Sequence, residues 1–377
     1  MVGCSNKFNQ TGSGLVGYDS TLTPRAFDSD TVRVTCSQVN IGLANGGDTV
    51  LCLGAVPWTE ADMLLEFSGL DSVYYASRIL SAEVILTRSY YSLQPLGFDV
   101  RNLQFEGYAL DSVWSSGTFT WDSVARLPRE GSNMVLPPMF PQVSDSAVVI
   151  QIDTGVVRRW GNATDTSTHE TNYGFILKPM NISGVVSAYS TLYSGTGLEP
   201  TIVVACLING VPDTVTSRSS YSSYVATTSI AGPSQTFTVQ SGTGYHGNLV
   251  FDLSRIPNYS IINYAQLTLF ENTIDSLYSG QSPDSLYAYY QNDPTTHAFS
   301  SIYGIALSAQ DTVRRNKYTF QVGVLVQQMV NLGNYGFIVT RSEDYNNLDS
   351  RFIYSGNAPD SLKPRLTITY TPAVKKR

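Results

Sequence analysis

The pentapeptide Asn-Tyr-Gly-Phe-Ile stands at residues 172–176 and again at residues 334–338, 162 positions apart. An identity of this length registers two halves of the chain on each other. Around it the chain is punctuated into short runs such as "TVRVTC", "AEVILTR", "AVVIQID", "TIVVACL", "AQLTLFE", "YTFQVGVLV" and "RLTITYT". Each is of strand length, rich in Val, Ile, Thr, Tyr and Phe, and bounded by Gly, Pro, Asn or Asp. Asp-Ser occurs ten times, mostly between these runs. A short side chain that hydrogen-bonds nearby backbone suits turns, so these acids read as punctuation and not as acid–base machinery. Helical segments are few: "TGVVRRWGN" at 154–162 and "VGVLVQQMVNLG" at 322–333, each stopped by Gly.

With the halves superposed on the pentapeptide, other segments fall into the same order. An apolar strand ending near a Phe ("DMLLEFSGL", "GNLVFDLSRIP") precedes "ILSAEVILTR" or "IINYAQLTLFE", which brings Ala82 and Ala265 into register. The short helix follows, with Trp160 in the place of Met329. Each half then passes through the pentapeptide and a Ser/Tyr-rich segment to "EPTIVVA" or "KPRLTITY". The offset is 184 at Leu65/Leu249, 162 at Asn172/Asn334 and 164 at Pro200/Pro364, so copy one carries about twenty extra residues before its pentapeptide. Alternating strands need a second sheet over their apolar faces. The fold class read here is all-β: two tandem jelly-roll-like β-sandwiches with one short helix each. The boundaries are a tether at 1–29, a first sandwich at 30–208, a second at 209–372 and a basic tail at 373–377.

This series of segments resembles the DNRLRE-type module, related to the disaggregatase repeat and to a family of carbohydrate-binding modules. Copy one carries "WSSGTFTW" (114–121), "VRRW" (157–160), "NYG" and "EPTIVV"; copy two carries "FDLSRIP", "NYG" and "KPRLTITY" but lacks the W…TW stretch. The resemblance spans about residues 30–372. It implies a jelly-roll-like sandwich used outside the cell, often attached to polysaccharide-active or surface proteins.

Charge and cysteines bound the setting. Charged residues are 14% of the chain, against roughly 25% in ordinary soluble domains. Ser, Thr, Asn and 24 Tyr must therefore supply the polar surface. A net charge of −7 argues against a nucleic-acid partner, since nothing would displace counterions from phosphate. "MVGCSN" resembles the end of a bacterial lipoprotein signal with Cys4 as the acylated residue, and the polar Gly/Ser-rich stretch after it suits a tether. The expected location is the cell surface, as an outer-membrane lipoprotein whose only membrane contact is the lipid. Cys36 and Cys52 lie in strand-like runs and are the candidate disulfide pair. Cys206, in "IVVACLI", reads as buried.

His169, His246 and His297 have no counterparts in the opposite copies and no nucleophile motif beside them, so no catalytic residue is assigned. No cofactor is expected. Oxygen-rich turns at 27–30 and 342–350 leave room for a structural calcium ion, without a spacing that assigns ligands. Sugar binding needs flat rings with hydrogen-bonding neighbours. The candidates are Tyr289, Tyr290 and Gln291, of which at least one Tyr must face out of a strand, together with Trp58, Trp114 and Tyr221. The leading expectation is a non-catalytic surface protein that binds polysaccharide or other cell-surface components. A structural subunit of a surface layer, fibre or adhesin, capable of self-association, ranks second. A β-sandwich polysaccharide-degrading enzyme ranks third.

Overall fold

The computed structural model describes residues 23–28, 34–40, 45, 49–70, 73, 76–115, 119–124, 126–127, 129–136, 142–144, 146–161, 172–193, 195–230, 232–273, 285–310, 316–341 and 346–372. These residues form two antiparallel jelly-roll-like sandwiches, in agreement with the strand periodicity. The first is built from β3 (Val50–Val56), β4 (Thr59–Phe67), β5 (Ala76–Leu93), β6 (Phe105–Leu110), β7 (Arg129–Glu130), β8 (Gln142–Val143), β9 (Ala147–Gln151), β10 (Phe175–Pro179), β11 (Gly184–Tyr189), β12 (Thr201–Ile208) and β13 (Val211–Thr228). The second contains β1 (Arg25–Asp28), β2 (Val34–Asn40), β14 (Thr236–Gln240), β15 (Tyr245–Phe251), β16 (Ile261–Phe270) and β17 (Ser285–Gln291). It is completed by β18 (Phe299–Gln310), β19 (Asn316–Gln321), β20 (Phe337–Arg341), β21 (Ser350–Tyr354) and β22 (Arg365–Thr371). Three helices are described: one turn, α1 (Trp121–Val124), and one helix per sandwich, α2 (Thr154–Gly161) and α3 (Gly323–Leu332).

Long strands join the two layers. β5, of 18 residues, pairs with β12 and β9 as far as Thr87 and with β11 from Arg88. β18 pairs with β17 up to Leu307 and with β19 from Ser308. The apolar faces enclose one core per sandwich. The first includes Leu53, Met63, Val84 and Phe175, and the second includes Leu249, Leu267, Phe320 and Phe337. Trp160 from α2 stacks on Phe175 at 6.1 Å, and Phe175 on Phe67 at 6.0 Å, so the Val157/Trp160 face of the helix closes the first core while Arg158 faces water.

The repeated pentapeptide has a definite job. Asn172 Nδ2 donates to the Phe67 carbonyl at 2.5 Å, and Asn334 Nδ2 donates to the Phe251 carbonyl at 2.6 Å. Each Asn thereby caps the last carbonyl of the neighbouring strand, β4 or β15. Gly174 (φ +83°) and Gly336 (φ +96°) then turn the chain in the left-handed region. A Cβ there would lie 2.2 Å from the Leu65 carbonyl oxygen or 2.4 Å from that of Leu249, so only glycine fits. Phe175 and Phe337 next enter the ladder opposite Leu65 and Leu249.

The division at residue 209 does not coincide with the sheets. Asn209 (φ 53°) and Gly210 (φ 80°) make a two-residue hairpin turn, a left-handed pair that matches strand twist, and fold β13 straight back onto β12. The 18-residue β13 then crosses to the other layer and pairs with β4 from Ser219 to Thr228. It therefore belongs to the first sandwich. β1 and β2, expected in the tether and the first sandwich, instead pair with β22 and β15 of the second. The expected Cys36–Cys52 bridge is absent for the same reason: Cys36 lies on β2 and Cys52 on β3, in different sandwiches, and neither is in a disulfide. Burial pushes the Cys36 thiol up to about 11. Cys206 is buried and free, as its apolar run implied. Cys4, the rest of residues 1–22 and the basic tail lie outside the described residues.

The two sandwiches meet through buried polar contacts. Tyr91 Oη donates to Asp349 Oδ1 at 3.1 Å and accepts from the Leu348 amide at 3.0 Å. Gln240 Nε2 donates to Thr59 Oγ1 at 2.8 Å, and Leu348 packs into the first core.

Gly336→Ala should lower stability by about 3 kcal/mol, through left-handed strain and carbonyl overlap together. Asn334→Ala should cost about 1–3 kcal/mol by stranding the Phe251 carbonyl. Equilibrium denaturant unfolding measures both, and equal stabilities of the two variants and the parent would refute the turn assignment.

Candidate functional site

The outer face of the second sandwich's β15–β20–β17–β18 layer carries an aromatic platform. Alternation along β17 sends Leu286, Ala288 and Tyr290 into the core and Tyr287 and Tyr289 outward. Opposite them on β18, Tyr303 pairs with Tyr289 and Ile305 with Tyr287. The rings touch: Tyr287 to Tyr303 at 4.6 Å, nearly parallel at 28°, Tyr289 to Phe299 at 4.6 Å and Tyr289 to Tyr303 at 5.4 Å. Tyr303, Ile305 and Leu307 are 49%, 52% and 69% exposed, so the platform reaches solvent. Packing ring on ring on a sheet leaves little side-chain freedom to lose when a flat ligand docks.

Gln291 flanks the platform from the end of β17. It is fully buried, and its Nε2 donates to the Asp293 carbonyl at 3.1 Å and to His297 Nδ1 at 2.8 Å. It braces the following turn, where Asp293 Oδ1 accepts from the Thr295 amide and Oδ2 from the Thr296 hydroxyl, both at 2.8 Å. Those bonds hold the Asp293 carboxyl below its ordinary range.

The same registers in copy one show what closes the equivalent face. Phe175 and Phe337 occupy matching positions, so Tyr108 stands where Tyr289 does, Glu106 where Tyr287 does, Lys178 where Thr340 does and Asp62 where His246 does. There the W…TW segment folds over the sheet. Trp114, Phe119 and Val124 pack with Leu64, Ile176 and Val225 as a third small core, and Trp114 Nε1 donates to the Tyr173 carbonyl at 2.8 Å. At its margin Asp62 is fully buried, with Lys178 Nζ at 3.1 Å from Oδ2 and the Trp121 ring 5.8 Å from that ammonium. Burial outweighs the Lys178 charge and raises the Asp62 carboxyl to about 7. The W…TW sequence has no counterpart in copy two; there Ile338, Thr340 and His246 on the same face are buried, and the tyrosines of β17 and β18 lie beside them.

The sequence-derived candidates separate accordingly. Tyr289 faces out at the centre of the platform. Tyr290 is a correction: alternation turns it inward, where it is buried and its hydroxyl donates to the Gly333 carbonyl at 3.0 Å. Gln291 is likewise buried. Trp114 is a core residue and not a ligand platform, because its ring fills the third core. Trp58 is half-buried against the first core. Tyr221 is 57% exposed on β13 of the first sandwich, opposite Glu66 of β4. Tyr303 and Phe299 were not singled out from sequence. No local signal pointed to them, since they reach the platform only through the cross-strand pairing of β18 with β17. Near α3, where Met329 replaces the tryptophan of copy one, a cleft of about 470 Å³ opens between residues 252–258 and 329–334. Among the described residues no group of three or more His, Cys, Asp and Glu side chains is arranged to hold a metal. The turns at 27–30 and 342–350 lie partly outside the described residues. No family model matches the chain, and no curated protein matches it.

The raised Asp62 carboxyl sets a pH dependence. The folded state holds this proton more tightly than the unfolded chain, so the contribution is fully favourable at low pH and is lost as pH rises from the ordinary carboxylate value through about 7. Asp62→Asn should flatten that decline, by at most on the order of 4 kcal/mol. Thermal unfolding of parent and variant from pH 4 to pH 8 measures it; parallel curves would show that Asp62 ionises freely.

Proposed function

We propose that the protein is a non-catalytic, extracellular polysaccharide-binding protein that uses the tyrosine platform of its second sandwich. The observation that carries the reading is the contiguous set Tyr287, Tyr289, Tyr303 and Phe299 on an outward sheet face, bordered by exposed Ile305 and Leu307. Sugar rings present flat C–H faces that stack on such rings while hydroxyl-bearing neighbours take the polar edge. The resemblance of the segment order to DNRLRE-type modules and the low-charge, Ser- and Tyr-rich composition support it. In this reading Cys4 carries a lipid that holds the protein at the cell surface. The first sandwich, whose equivalent face is filled by tryptophans, acts as a spacer and support. A structural role in a surface assembly is the second reading, favoured by the way the N-terminal strands complete the second sandwich.

Native affinity electrophoresis of the full chain against soluble β-glucans, xylans, mannans and galactans tests it. Retardation by one glycan class is expected. Tyr289→Ala and Tyr303→Ala should each weaken it about tenfold, the effect of one stacking ring. Tyr221→Ala should leave it unchanged. Retardation that survives the Tyr289→Ala/Tyr303→Ala double variant would remove the platform from the binding reading.

A further inference from the structure

The second sandwich is completed by strands from the opposite end of the chain. β1 pairs with β22 across four residues, Arg25–Asp28 against Thr367–Tyr370, and β2 pairs with β15 across seven, Val34–Asn40 against Tyr245–Phe251. In the first sandwich one continuous strand, β13, fills both of those places: its first half pairs with β12 and its second with β4. The equivalence holds residue by residue. Val204 and Ile368 match through their partners Ala82 and Ala265, and they face Val215 and Phe27. Leu65 and Leu249 match through the pentapeptide and face Ser222 and Cys36. The spacing along the filling segment is 7 residues in copy one (222 − 215) and 9 in copy two (36 − 27).

The receiving groove is shaped for this segment. Gly356 sits where a Cβ would lie 2.4 Å from the Val34 carbonyl oxygen, and Gln38 Oε1 accepts from the Thr238 amide at 3.3 Å. Phe27 enters the second core, and Val34 and Cys36 pack against it. Yet few of the donor's side chains are buried. Of its eleven paired residues only Phe27 and Val39 are buried. It is joined to β3 through residues 41–49, whereas β13 is bound to β12 by a two-residue turn.

We infer that β1 and β2 are an exchangeable donor segment, and that the occupant of the groove can be the same segment of a second copy of this chain. Every copy carries both donor and groove, and the contacts are the same in cis and in trans. The balance is set by concentration against the covalent link of the segment to β3 and the buried Asn45 Nδ2 bond to the Gly242 carbonyl at 3.0 Å. Donation in trans leaves each acceptor's own donor free for the next copy, a heterologous contact that propagates head to tail. This goes beyond the glycan-binding reading and is independent of the tyrosine platform.

Thr35 and Val250 are opposite each other in register on the outer side of the pairing. Full-length chains in a Cys4→Ser/Cys36→Ser background would carry Thr35→Cys alone, Val250→Cys alone, or both. The double variant should close internally on oxidation at low concentration. The two single variants, mixed, refolded together from denaturant and oxidised at rising concentration, should yield a disulfide-linked heterodimer whose fraction grows with concentration, with higher oligomers of the unlabelled chain in sedimentation velocity. Absence of that heterodimer at every concentration, while the double variant closes, would restrict the segment to its own chain and overturn the inference. Failure of the double variant to close would overturn the pairing on which it stands. Ser37→Cys with Asn248→Cys, a second registered pair, repeats the measurement should either first variant fold poorly.

Discussion

An antiparallel sheet that stops leaves a row of unpaired backbone N–H and C=O groups, and both sandwiches are organised around how that row is covered. In copy one, β13 hairpins off β12 and runs across both layers, so the edge of one sheet and the flank of β4 are satisfied by one nearby segment. With those positions filled, β1 and β2 have no place on the first sandwich, and the corresponding positions on β22 and β15 receive them. The duplicated sequence thus folds into two sandwiches whose last pieces come from different distances along the chain. The second is closed by segments more than two hundred residues away in sequence, for example Cys36 against Leu249.

The interiors of the copies stay alike while their outward faces diverge. Inside, the asparagine clamp, the left-handed glycine and the Phe that follows are repeated, and at the glycine the Leu65 or Leu249 carbonyl oxygen lies too close for any side chain. Outside, position-matched residues differ in character: Asp62 against His246, Leu64 against Asn248, Lys178 against Thr340. Copy one uses its face to bury tryptophans, which stabilises that sheet from both sides and holds Asp62 out of water. Copy two presents tyrosines, whose hydroxyls tolerate water while their rings pack on one another.

The joint between the sandwiches is polar and buried. Tyr91 serves Asp349 and the Leu348 amide together, and burial raises its hydroxyl well above the ordinary tyrosine value. Arg341, also buried, lies 4.0 Å from Asp349. Groups of this kind are costly to leave unsatisfied, so they favour one relative placement over a loose apolar contact that could slide.

Much of this was legible from residue order. Strand-length alternation identified the all-β class, and the paired segments identified the duplication. The "NYG" turns and the Val157/Trp160 helix face were readable because each depends on contacts among residues close in sequence or on steric limits of a single residue type. Tyr290 was misjudged because alternation says that neighbours face opposite ways without saying which way either faces; the core partner of β17 decides that. Trp114 was a candidate ligand ring whose place in the W…TW motif favoured a core role, and the chain after β6, folding back over the sheet, puts it there. The Cys36–Cys52 pair failed for a related reason, since two strand-like runs sixteen residues apart can join different sheets. Local chemistry therefore determined the strand inventory, the repeat and the glycine turns. Tertiary structure alone assigned β1 and β2 to the far sandwich and brought Tyr303 and Phe299 against Tyr289, because edge pairing and cross-strand contact depend on which distant segment arrives to fill them.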